Sequence, residues 1–243
     1  TTVAERAREE GDIRSESFAL GYLGAIAERF GDYDKALAYS RLAAARAEQA
    51  DALDGLYARQ WQSARALERL GKPDLALAAY QQAIETLEKI RFELTRGSSR
   101  KFQQSVAPVF FEMASLLLSQ PGTAAEVSAN LRLVRGTIEE LKLAEIQDYF
   151  DDDCVIEKEE AAALDELAAN AAVIYPIIFD DRLEVLTSRG GTISRHTVNV
   201  DRKTLTATVR EFRQNLERRP THRYRESGRR LYEWLIAPVV ADL

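Results

Sequence analysis

The chain has 243 residues, of which 46% are hydrophobic and 30% charged, and its formal net charge is −6. This length allows one large domain or two ordinary domains with proper cores, and the composition is typical of a soluble globular protein. The negative charge argues against nucleic acid as the main partner. No apolar run approaches the roughly 20 residues that a membrane-spanning helix needs, so we predict no membrane partner, and no signal peptide is visible.

The single cysteine, Cys154, excludes an internal disulfide and a cysteine-based zinc site. This use of cysteine fits a reducing compartment, and we expect a cytoplasmic protein. The chain begins at Thr1 rather than Met, and no clear stop signal precedes Leu243. We therefore expect a truncated fragment of a longer protein.

From about residue 4 to residue 149 the sequence predicts helices. Ala, Leu, Glu, Arg and Gln dominate there, and all of them propagate helix well. Ser17 is the expected N-cap of a helix that continues to Arg29. Gly31 is expected to end this helix, because glycine tolerates the left-handed conformation at a C-terminus, and Asp34 is expected to start the next one.

Two segments are almost copies of each other. The segment GDYDKALAY at 31–39 recurs forty positions later as GKPDLALAAY at 71–80. A turn followed by Ala-Leu and an aromatic residue is typical of a repeated helical hairpin, which stacks on its neighbours and leaves a concave surface for another molecule. Pro73 fits the first turn of a helix, where its missing N–H costs nothing. The second and third predicted hairpins span 57–70 with 74–91 and 98–118 with 124–149.

These hairpins resemble the tetratricopeptide repeat (TPR). The family places small or aromatic residues at close helix crossings, and the matching positions here are Leu23, Gly24, Ala36, Ala43, Ala64, Ala76, Tyr80 and Ala83. Ala27 and Leu67 depart from the pattern, because the family often has Tyr there. The spacing of forty exceeds the family's thirty-four and implies longer helices. The alternative interpretation is an ordinary helical bundle.

Near Asp151 the pattern changes from helix to strand. The aspartates at 151–153 predict a turn, and a short helical piece is expected over 158–170. Pro176 indicates that the first strand lies at a sheet edge or contains a bulge, and Gly190 with Gly191 predicts a hairpin turn. The predicted strands span 172–179, 183–187 and 192–200.

Two helices follow the strands. Asp201 is the expected cap of the first, in which Leu205, Val209, Phe212 and Leu216 predict one buried face. The second is expected over about 224–237. We therefore predict a mainly α protein: TPR-like hairpins over 1–150, then a small α+β domain over 151–243 with a three-stranded antiparallel meander and two helices.

The second part is similar to the entry segment of a CHAT domain, a caspase-like cysteine peptidase domain that typically follows TPR arrays. The matching strings are ELKLAEIQDYF (140–150), DC (153–154), AVIYPII (172–178), RLEVL (182–186), TVREF (208–212) and LYEWLIAP (231–238). The resemblance spans about 139–243. It implies a protease-related sensor in which the repeats bind a partner and the caspase-like half cleaves a protein. In the family the catalytic His and Cys lie downstream of the Leu-Ile-Ala-Pro helix, so we predict no catalytic residue and no activity for this fragment.

A thiol and an imidazole could still form a nucleophilic pair from Cys154 with His196 or His222. Three aspartates precede Cys154 and should raise the pKa of its thiol, which favours a structural cysteine. His196 lies within a predicted strand, where we expect it to pack or to cap an edge, and His222 lies in a basic linker.

Two charged runs are candidate binding sites. The carboxylates between 148 and 157 lack the glycine and the alternation of a calcium loop, so we predict a solvated turn, no metal site and no cofactor. The basic run 218–225 is interpreted as a solvated linker, with partner docking as the alternative.

The groove of the repeats is the better candidate for binding. The first helix of each TPR hairpin lines the concave face, and extrapolation directs Arg29, Trp61, Arg65 and Arg69 toward it. Guanidinium groups bind carboxylates in a bidentate manner and tryptophan is a large anchor, which together suit an acidic peptide end. The alternative is that these arginines are ordinary surface residues, with Trp61 wedged between helices.

We therefore predict a protein–protein interaction and regulatory module of a TPR–CHAT caspase-like protease, with the catalytic part outside this chain. One alternative is a stand-alone TPR adaptor with a C-terminal docking domain. Another is an enzyme that uses His196 with nearby acids. A sheet cut short should leave an unpaired edge, so self-association through that edge is also expected.

Overall fold

A computed structural model of the chain describes residues 3–91, 94, 101–150, 171–217 and 222–242. The predicted fold class is confirmed: the protein is mainly helical, with a small three-stranded antiparallel sheet near the C-terminus. Contacts divide it into two compact units, Thr1–Gly122 with Thr137–Val155 and Thr123–Gly136 with Ile156–Leu243. The domain boundary near residue 150 stays a prediction. None of the helices in the described ranges is long and apolar enough to cross a membrane.

The first unit is an array of helical hairpins. Helices α2 and α3 form one hairpin and α4 and α5 the next; each helix packs on its neighbours in sequence, and α2 also packs on α4. The elements are α1 (Val3–Glu10), α2 (Ile13–Arg29), α3 (Tyr33–Gln49), α4 (Leu53–Arg69), α5 (Pro73–Glu88), a π-helical turn (Phe102–Val106) and α6 (Ala107–Ser119). Helix α7 (Ala124–Phe150) begins in the second unit and ends in the first.

The loops between α1 and α5 repeat one geometry every twenty residues. Their residues with positive φ are Gly11, Gly31, Asp51 and Gly71. After α2, for example, the N–H of Gly31 donates to the carbonyl of Glu28 at 3.0 Å, and the N–H of Asp32 donates to the carbonyl of Ala27 at 2.9 Å. This pair of bonds is the Schellman motif, in which a left-handed residue satisfies the last carbonyls of a helix. Since α1, α2, α3 and α4 all end in this way, two helices and two loops give the period of forty.

The starts of α2 and α3 differ from the predictions. Helix α2 begins at Ile13, and its N-cap is Asp12, whose carboxylate accepts a bond from the N–H of Ser15 at 3.0 Å. The predicted cap, Ser17, lies inside the helix, and its hydroxyl donates to the carbonyl of Ala43 at 2.8 Å. Helix α3 begins directly after its cap Asp32 rather than at residue 34. The predictions were late because the loops are only two or three residues long, so the end of one helix and the cap of the next are adjacent.

The small residues predicted at the helix crossings are confirmed as buried. Ala36, Ala43, Ala64, Ala76 and Ala83 have no exposed surface. The sequence alignment of the two copies is wrong by one residue at the tyrosine, however. A shift of forty makes Ser40, rather than Tyr39, the equivalent of Tyr80. The first hairpin therefore has a small serine where the second has a tyrosine, and this serine lies beside Gly24: a Cβ added to Gly24 would lie 3.0 Å from the Ser40 hydroxyl.

Alanine at Gly31 is expected to lower the free energy of unfolding by about 1–2 kcal/mol, because a side chain there must adopt the left-handed conformation. No atom lies within 4 Å of the Cβ position at Gly31 or at Gly136, so packing is not involved at either site. Gly136 lies inside α7 with ordinary helical φ, and alanine there is expected to raise stability by about 0.5–1 kcal/mol. Urea unfolding of the two variants checks this, and shifts of the same sign would contradict the assignment of the loop.

The second unit contains the sheet. Its strands are β1 (Val173–Ile178), β2 (Leu183–Arg189) and β3 (Thr192–Val198), followed by α8 (Arg202–Glu217), α9 (Tyr224–Leu235) and a 3₁₀ helix (Ala237–Asp242). Strand β2 is central and pairs antiparallel with both neighbours, which places Pro176 opposite Val185 on an edge strand of the described sheet, as predicted. Gly190 and Gly191 have positive φ in the β2–β3 turn, also as predicted.

One side of this sheet packs against α8, α9 and the 3₁₀ helix. Its buried core is Leu183, Val185, Val200, Leu205 and Val239. The predicted buried face of α8 is wrong in part: Val209 and Leu216 are 46% and 48% exposed, whereas Leu205 and Thr208 are buried. Burial in α8 is therefore confined to its first two turns, although the cap at Asp201 is confirmed by a 2.7 Å bond from the N–H of Thr204.

Candidate functional site

Two of the four predicted groove residues lie together on α4. The guanidinium carbon of Arg65 lies 4.9 Å from the centroid of the Trp61 ring. Arg65 donates two hydrogen bonds to the carboxylate of Glu28 on α2, at 2.6 and 3.1 Å. The indole N–H of Trp61 donates to Oε2 of Glu112 on α6 at 2.6 Å, and this oxygen also lies 4.0 Å from Arg65 Nη1. The chain's own carboxylates thus already bind the polar groups of both residues.

The same cluster includes a buried tyrosine between two carboxylates. The hydroxyl of Tyr80 lies 3.1 Å from Oε2 of Glu68 and 3.2 Å from Oε2 of Glu112. A phenol has one proton and can donate to only one of them at a time. Burial raises the pKa of Glu112 despite its bonds from Trp61 and Tyr80, and burial with the two carboxylates raises the pKa of Tyr80 far above its usual range.

For Arg65 the balance of effects is reversed. Burial disfavours the charged guanidinium, but the hydrogen bonds and the charge of Glu28, helped by Glu112, raise the pKa of Arg65. Arg65 is therefore a permanent cation that holds α4 to α2 and α6. Arg29 and Arg69 are outside this cluster, as exposed side chains in the last turns of α2 and α4.

A row of exposed apolar side chains follows α2. Phe18, Tyr22, Ile26 and Phe30 are 37%, 70%, 53% and 83% exposed, and they are spaced by four residues, so they lie along one side of the helix. The opposite side of α2 is buried in the array through smaller residues such as Gly24 and Ala27, and Gly21 lies between this side and Phe18. We call these four side chains the α2 ridge. The sequence analysis missed the ridge, although its i, i+4 spacing beside a separate face of small residues was readable.

Arg59 on α4 lies beside this ridge. Its guanidinium crosses Gly21 of α2 so closely that a Cβ at position 21 would lie 1.8 Å from Arg59 Nη1. Gln62 fixes the arrangement, because its Oε1 accepts a bond from Arg59 Nη1 at 3.2 Å and its amide donates to the carbonyl of Gly21 at 3.4 Å. Burial lowers the pKa of Arg59, and the positive charge of Arg65 acts in the same direction, whereas the phenol of Tyr22 acts in the opposite one.

The arginines near the α2 ridge differ in their counter-charges. Arg14, whose guanidinium carbon lies 6.0 Å from the centre of the Phe18 ring, bonds to Asp54 at 3.0 Å. Arg65 bonds to Glu28, as described above. Among the described residues, no carboxylate forms an ion pair with Arg59. Arg59 is thus a half-buried cation without a described negative neighbour.

His196 on β3 has a carboxylate partner in the second unit. Its Nε2 lies 2.6 Å from Oδ2 of Asp242, and the hydroxyl of Thr187 donates to the same oxygen at 3.1 Å. These bonds lower the pKa of Asp242, with the bond to His196 as the largest cause. They attach the 3₁₀ helix to the sheet, and no hydroxyl or thiol within the described ranges bonds to His196 as a nucleophile would.

Glu184 on β2 is the most enclosed charge among the described residues of the second unit. Its side chain has no exposed surface, and its two oxygens accept bonds from Arg182 at 2.7 Å, from Arg195 at 2.8 and 2.9 Å, and from Thr197 at 2.8 Å. Burial alone would raise the pKa of Glu184, but the two arginines and the threonine outweigh it and the pKa is lowered. This is a structural ion cluster on the side of the sheet opposite the helical core.

At the remaining candidates, the described residues form no site. His222 contacts Tyr224 edge to face, with the ring centres 6.5 Å apart. Cys154, the acidic turn and the first residues of the basic run, 218–221, lie outside the described residues. Within the described residues, no three His, Cys, Asp or Glu side chains are grouped so that they could hold a metal ion. Comparison of the chain with protein-family models, with curated proteins and with solved structures finds no match.

Proposed function

We propose that this chain is the recognition and regulatory part of a TPR–CHAT caspase-like protease, and that its helical array binds a protein partner through the face formed by α2 and α4. The observation that supports this proposal best is the α2 ridge, Phe18, Tyr22, Ile26 and Phe30. Three aromatic residues and an isoleucine in one continuous row are the residue types that anchor protein interfaces.

The energetic argument follows from exposure. Full burial of a side chain of this size stabilises by about 1.5–3 kcal/mol, and the array leaves four of them between 37% and 83% exposed while it buries alanines and glycines elsewhere on the same helix. The bonds of Trp61 to Glu112 and of Arg65 to Glu28 stabilise this face, because they hold α4 in place beside α2.

The second unit supports the protease part of the proposal through the order of its elements. The resemblance to a CHAT domain requires a particular order of elements: an antiparallel meander, then α8, then α9, then the Ala-Pro that begins the 3₁₀ helix. The adaptor alternative shares the array and differs only in the role of this unit. A His and a later Cys at strand ends in the downstream sequence of the parent protein would favour the protease. Self-association through the sheet edge stays a prediction.

Serine at Ile26 is expected to weaken binding by at least about tenfold, because it removes roughly 1.5 kcal/mol or more of apolar burial. The probe is a peptide selected from a phage-displayed random library on the immobilised chain, and its Kd is measured by fluorescence anisotropy. Leu75→Ser is the matched control, since Leu75 on α5 is 52% exposed against 53% for Ile26 but is not part of the ridge. We expect its Kd to stay within about twofold of the unchanged protein.

Two outcomes would count against this proposal. One is a library that yields no binder above background on the folded chain. The other is a Kd that changes equally in Ile26→Ser and Leu75→Ser, because binding would then be unrelated to the ridge.

A further inference from the structure

We propose that Arg59 selects the partner: an amphipathic helix whose apolar side lies on the α2 ridge and whose carboxylate side chain bonds to the guanidinium of Arg59. This inference rests on the proposed function, since it names the chemistry of the partner that the same face recognises. It differs from the sequence prediction, which assigned acidic recognition to Arg29, Arg65 and Arg69 with Trp61 as the anchor.

The position of Arg59 is fixed before any partner binds. Because Gly21 has no side chain, the guanidinium of Arg59 can lie against the backbone of α2. Gln62 holds it there, since its side chain bonds both to Arg59 and to the carbonyl of Gly21. A guanidinium has five N–H donors, of which the described residues engage one with the Gln62 oxygen. The other donors have no partner among the described residues, and little side-chain entropy is lost when a carboxylate binds to this positioned guanidinium.

Arg59 combines half-burial with the lack of a described counter-charge, which distinguishes it from the paired Arg14 and Arg65 and from the exposed Arg29. Arg14 and Arg65 already bond to Asp54 and Glu28, so a partner carboxylate would have to displace an existing one. At Arg59 a partner carboxylate would instead supply the negative charge that the half-buried guanidinium lacks. The bond between them would be a charge-assisted hydrogen bond partly shielded from water. The lowered pKa of Arg59, caused first by burial, agrees with this uncompensated position.

The shape of the ridge favours a helix as the occupant. Large side chains at i, i+4, i+8 and i+12 form the kind of row that fits the groove of a second helix. From Phe18 to Phe30 the row is about 18 Å long, at a rise of 1.5 Å per residue, which matches three to four turns of a partner helix.

Charge also favours a protein over a lipid surface. The carboxylates of Glu28 and Asp54 on α2 and α4 are already bonded to Arg65 and Arg14, so these two helices present no continuous basic surface to an anionic bilayer. The whole chain has a net charge of −6, which also disfavours such a bilayer, whereas a partner helix needs only one carboxylate to reach Arg59.

The test is a selection from a phage-displayed library of random 16-residue peptides against three full-length proteins: the unchanged chain, Arg59→Gln and Ile26→Ser. We expect the unchanged chain to enrich peptides with apolar residues at helical spacing together with Asp or Glu. Arg59→Gln should still enrich the apolar pattern but lose the acidic preference. Ile26→Ser should enrich neither. Arg14→Gln is the matched control, and its selection should keep the acidic preference because Arg14 is already paired.

A synthetic copy of the best selected peptide gives a second measurement. Replacement of its acidic residue by the amide should weaken binding to the unchanged chain by about tenfold or more, and should have little effect on Arg59→Gln. If Arg59→Gln does not fold, Arg59→Lys serves in the same cycle, with a smaller but still measurable dependence on the acid because lysine keeps the charge and loses the bidentate geometry.

Equal acidic enrichment on the unchanged chain and on Arg59→Gln would overturn this inference and leave the proposed function intact. Selected peptides that contain proline through the apolar segment would overturn the helical occupant. Absence of any ridge-dependent peptide would instead remove the proposed function itself. Ridge-dependent sedimentation with phosphatidylserine vesicles, without peptide selection, would replace the protein partner by a membrane.

Discussion

Glutamine at Glu184 is expected to lower the free energy of unfolding by about 3 kcal/mol or more. Glu184 is fully buried on β2, and it is the shared acceptor of Arg182 and Arg195. The glutamine amide has nearly the same volume as the carboxylate but no charge, so two partly buried guanidinium groups lose their counter-ion. In addition, the NH2 group of the amide replaces one acceptor oxygen and lies against the N–H donors that this oxygen had bonded. The side chains of the two arginines are 24% and 30% exposed, which places the cost at the lower end of the range for a broken buried pair.

The pH dependence of this effect has a definite sign. The folded pKa of Glu184 is lowered, so its contribution to stability is fully present above the unfolded pKa of about 4.3 and is lost as the pH falls through the lower folded value. The difference in unfolding free energy between the unchanged protein and Glu184→Gln should therefore be largest near neutral pH and shrink in acid. Urea titrations at pH 7 and below pH 4 measure it.

An exposed ion pair serves as the control for Glu184. Glu217 bonds to Arg213 at 2.9 Å on α8, with side chains 61% and 80% exposed. Glutamine at Glu217 should change the unfolding free energy by no more than about 0.5 kcal/mol. Equal effects at the two positions would mean that the Glu184 cluster is open to water in solution.

Glutamate at Arg65 is expected to destabilise the first unit by about 3 kcal/mol or more. The substitution places a carboxylate against the carboxylates of Glu28 and Glu112, in a cluster where burial already raises the pKa of Glu112. The attraction that holds α4 to α2 and α6 becomes repulsion among three like charges, which costs several kcal/mol. Helical circular dichroism during urea unfolding measures the loss.

Arg69 provides the comparison within the same helix. It lies one turn after Arg65 and is exposed, so Arg69→Glu should change stability by no more than about 0.5 kcal/mol. A binding test that replaced both arginines would therefore confuse unfolding with lost recognition. Identical midpoints for the two single variants would refute the pairing of Arg65 with Glu28.

The array was predictable because its information is local. Glycine at Gly31 and Gly71 and buried alanine at Ala36 and Ala76 recur at a spacing of forty that the fold reproduces, and Pro73 begins α5 as predicted. The starts of the helices were less accurate, since a cap and the preceding helix end share a two- or three-residue loop. Local signals predict that a turn exists more reliably than which of its residues caps the next helix.

The candidate site was predictable only in part, because its contacts join distant segments. The sequence directed Trp61 and Arg65 toward the groove of the repeats. Their partners are distant in sequence, however, since Glu112 lies 51 positions from Trp61 and Glu28 lies 37 positions from Arg65, and no local pattern pairs them. Arg59 was missed for the same reason: its position depends on a glycine of another helix. The alternative in which Trp61 is wedged between helices is closer to the geometry found, since its N–H is bonded to Glu112.

The sheet shows a further limit of pattern analysis. Alternation along Leu183, Glu184 and Val185 suggests that the glutamate points to water, yet β2 is buried on both sides and Glu184 is enclosed by ion pairs. Likewise the apolar residues at steps of four, three and four along α8 predicted a long buried stripe, while only Leu205 and Thr208 of this helix are buried. Tertiary contacts decide which side of an amphipathic pattern is covered.

The recurrence of one exit geometry every twenty residues makes the array extensible. A second copy of residues 32–71 placed after Gly71 would start on an aspartate cap and finish on a left-handed glycine, so each added helix would meet the same kind of neighbour as the original. Duplication in units of forty codons can therefore lengthen the recognition face without altering the interior. A duplication of any other length would leave one helix facing the wrong way.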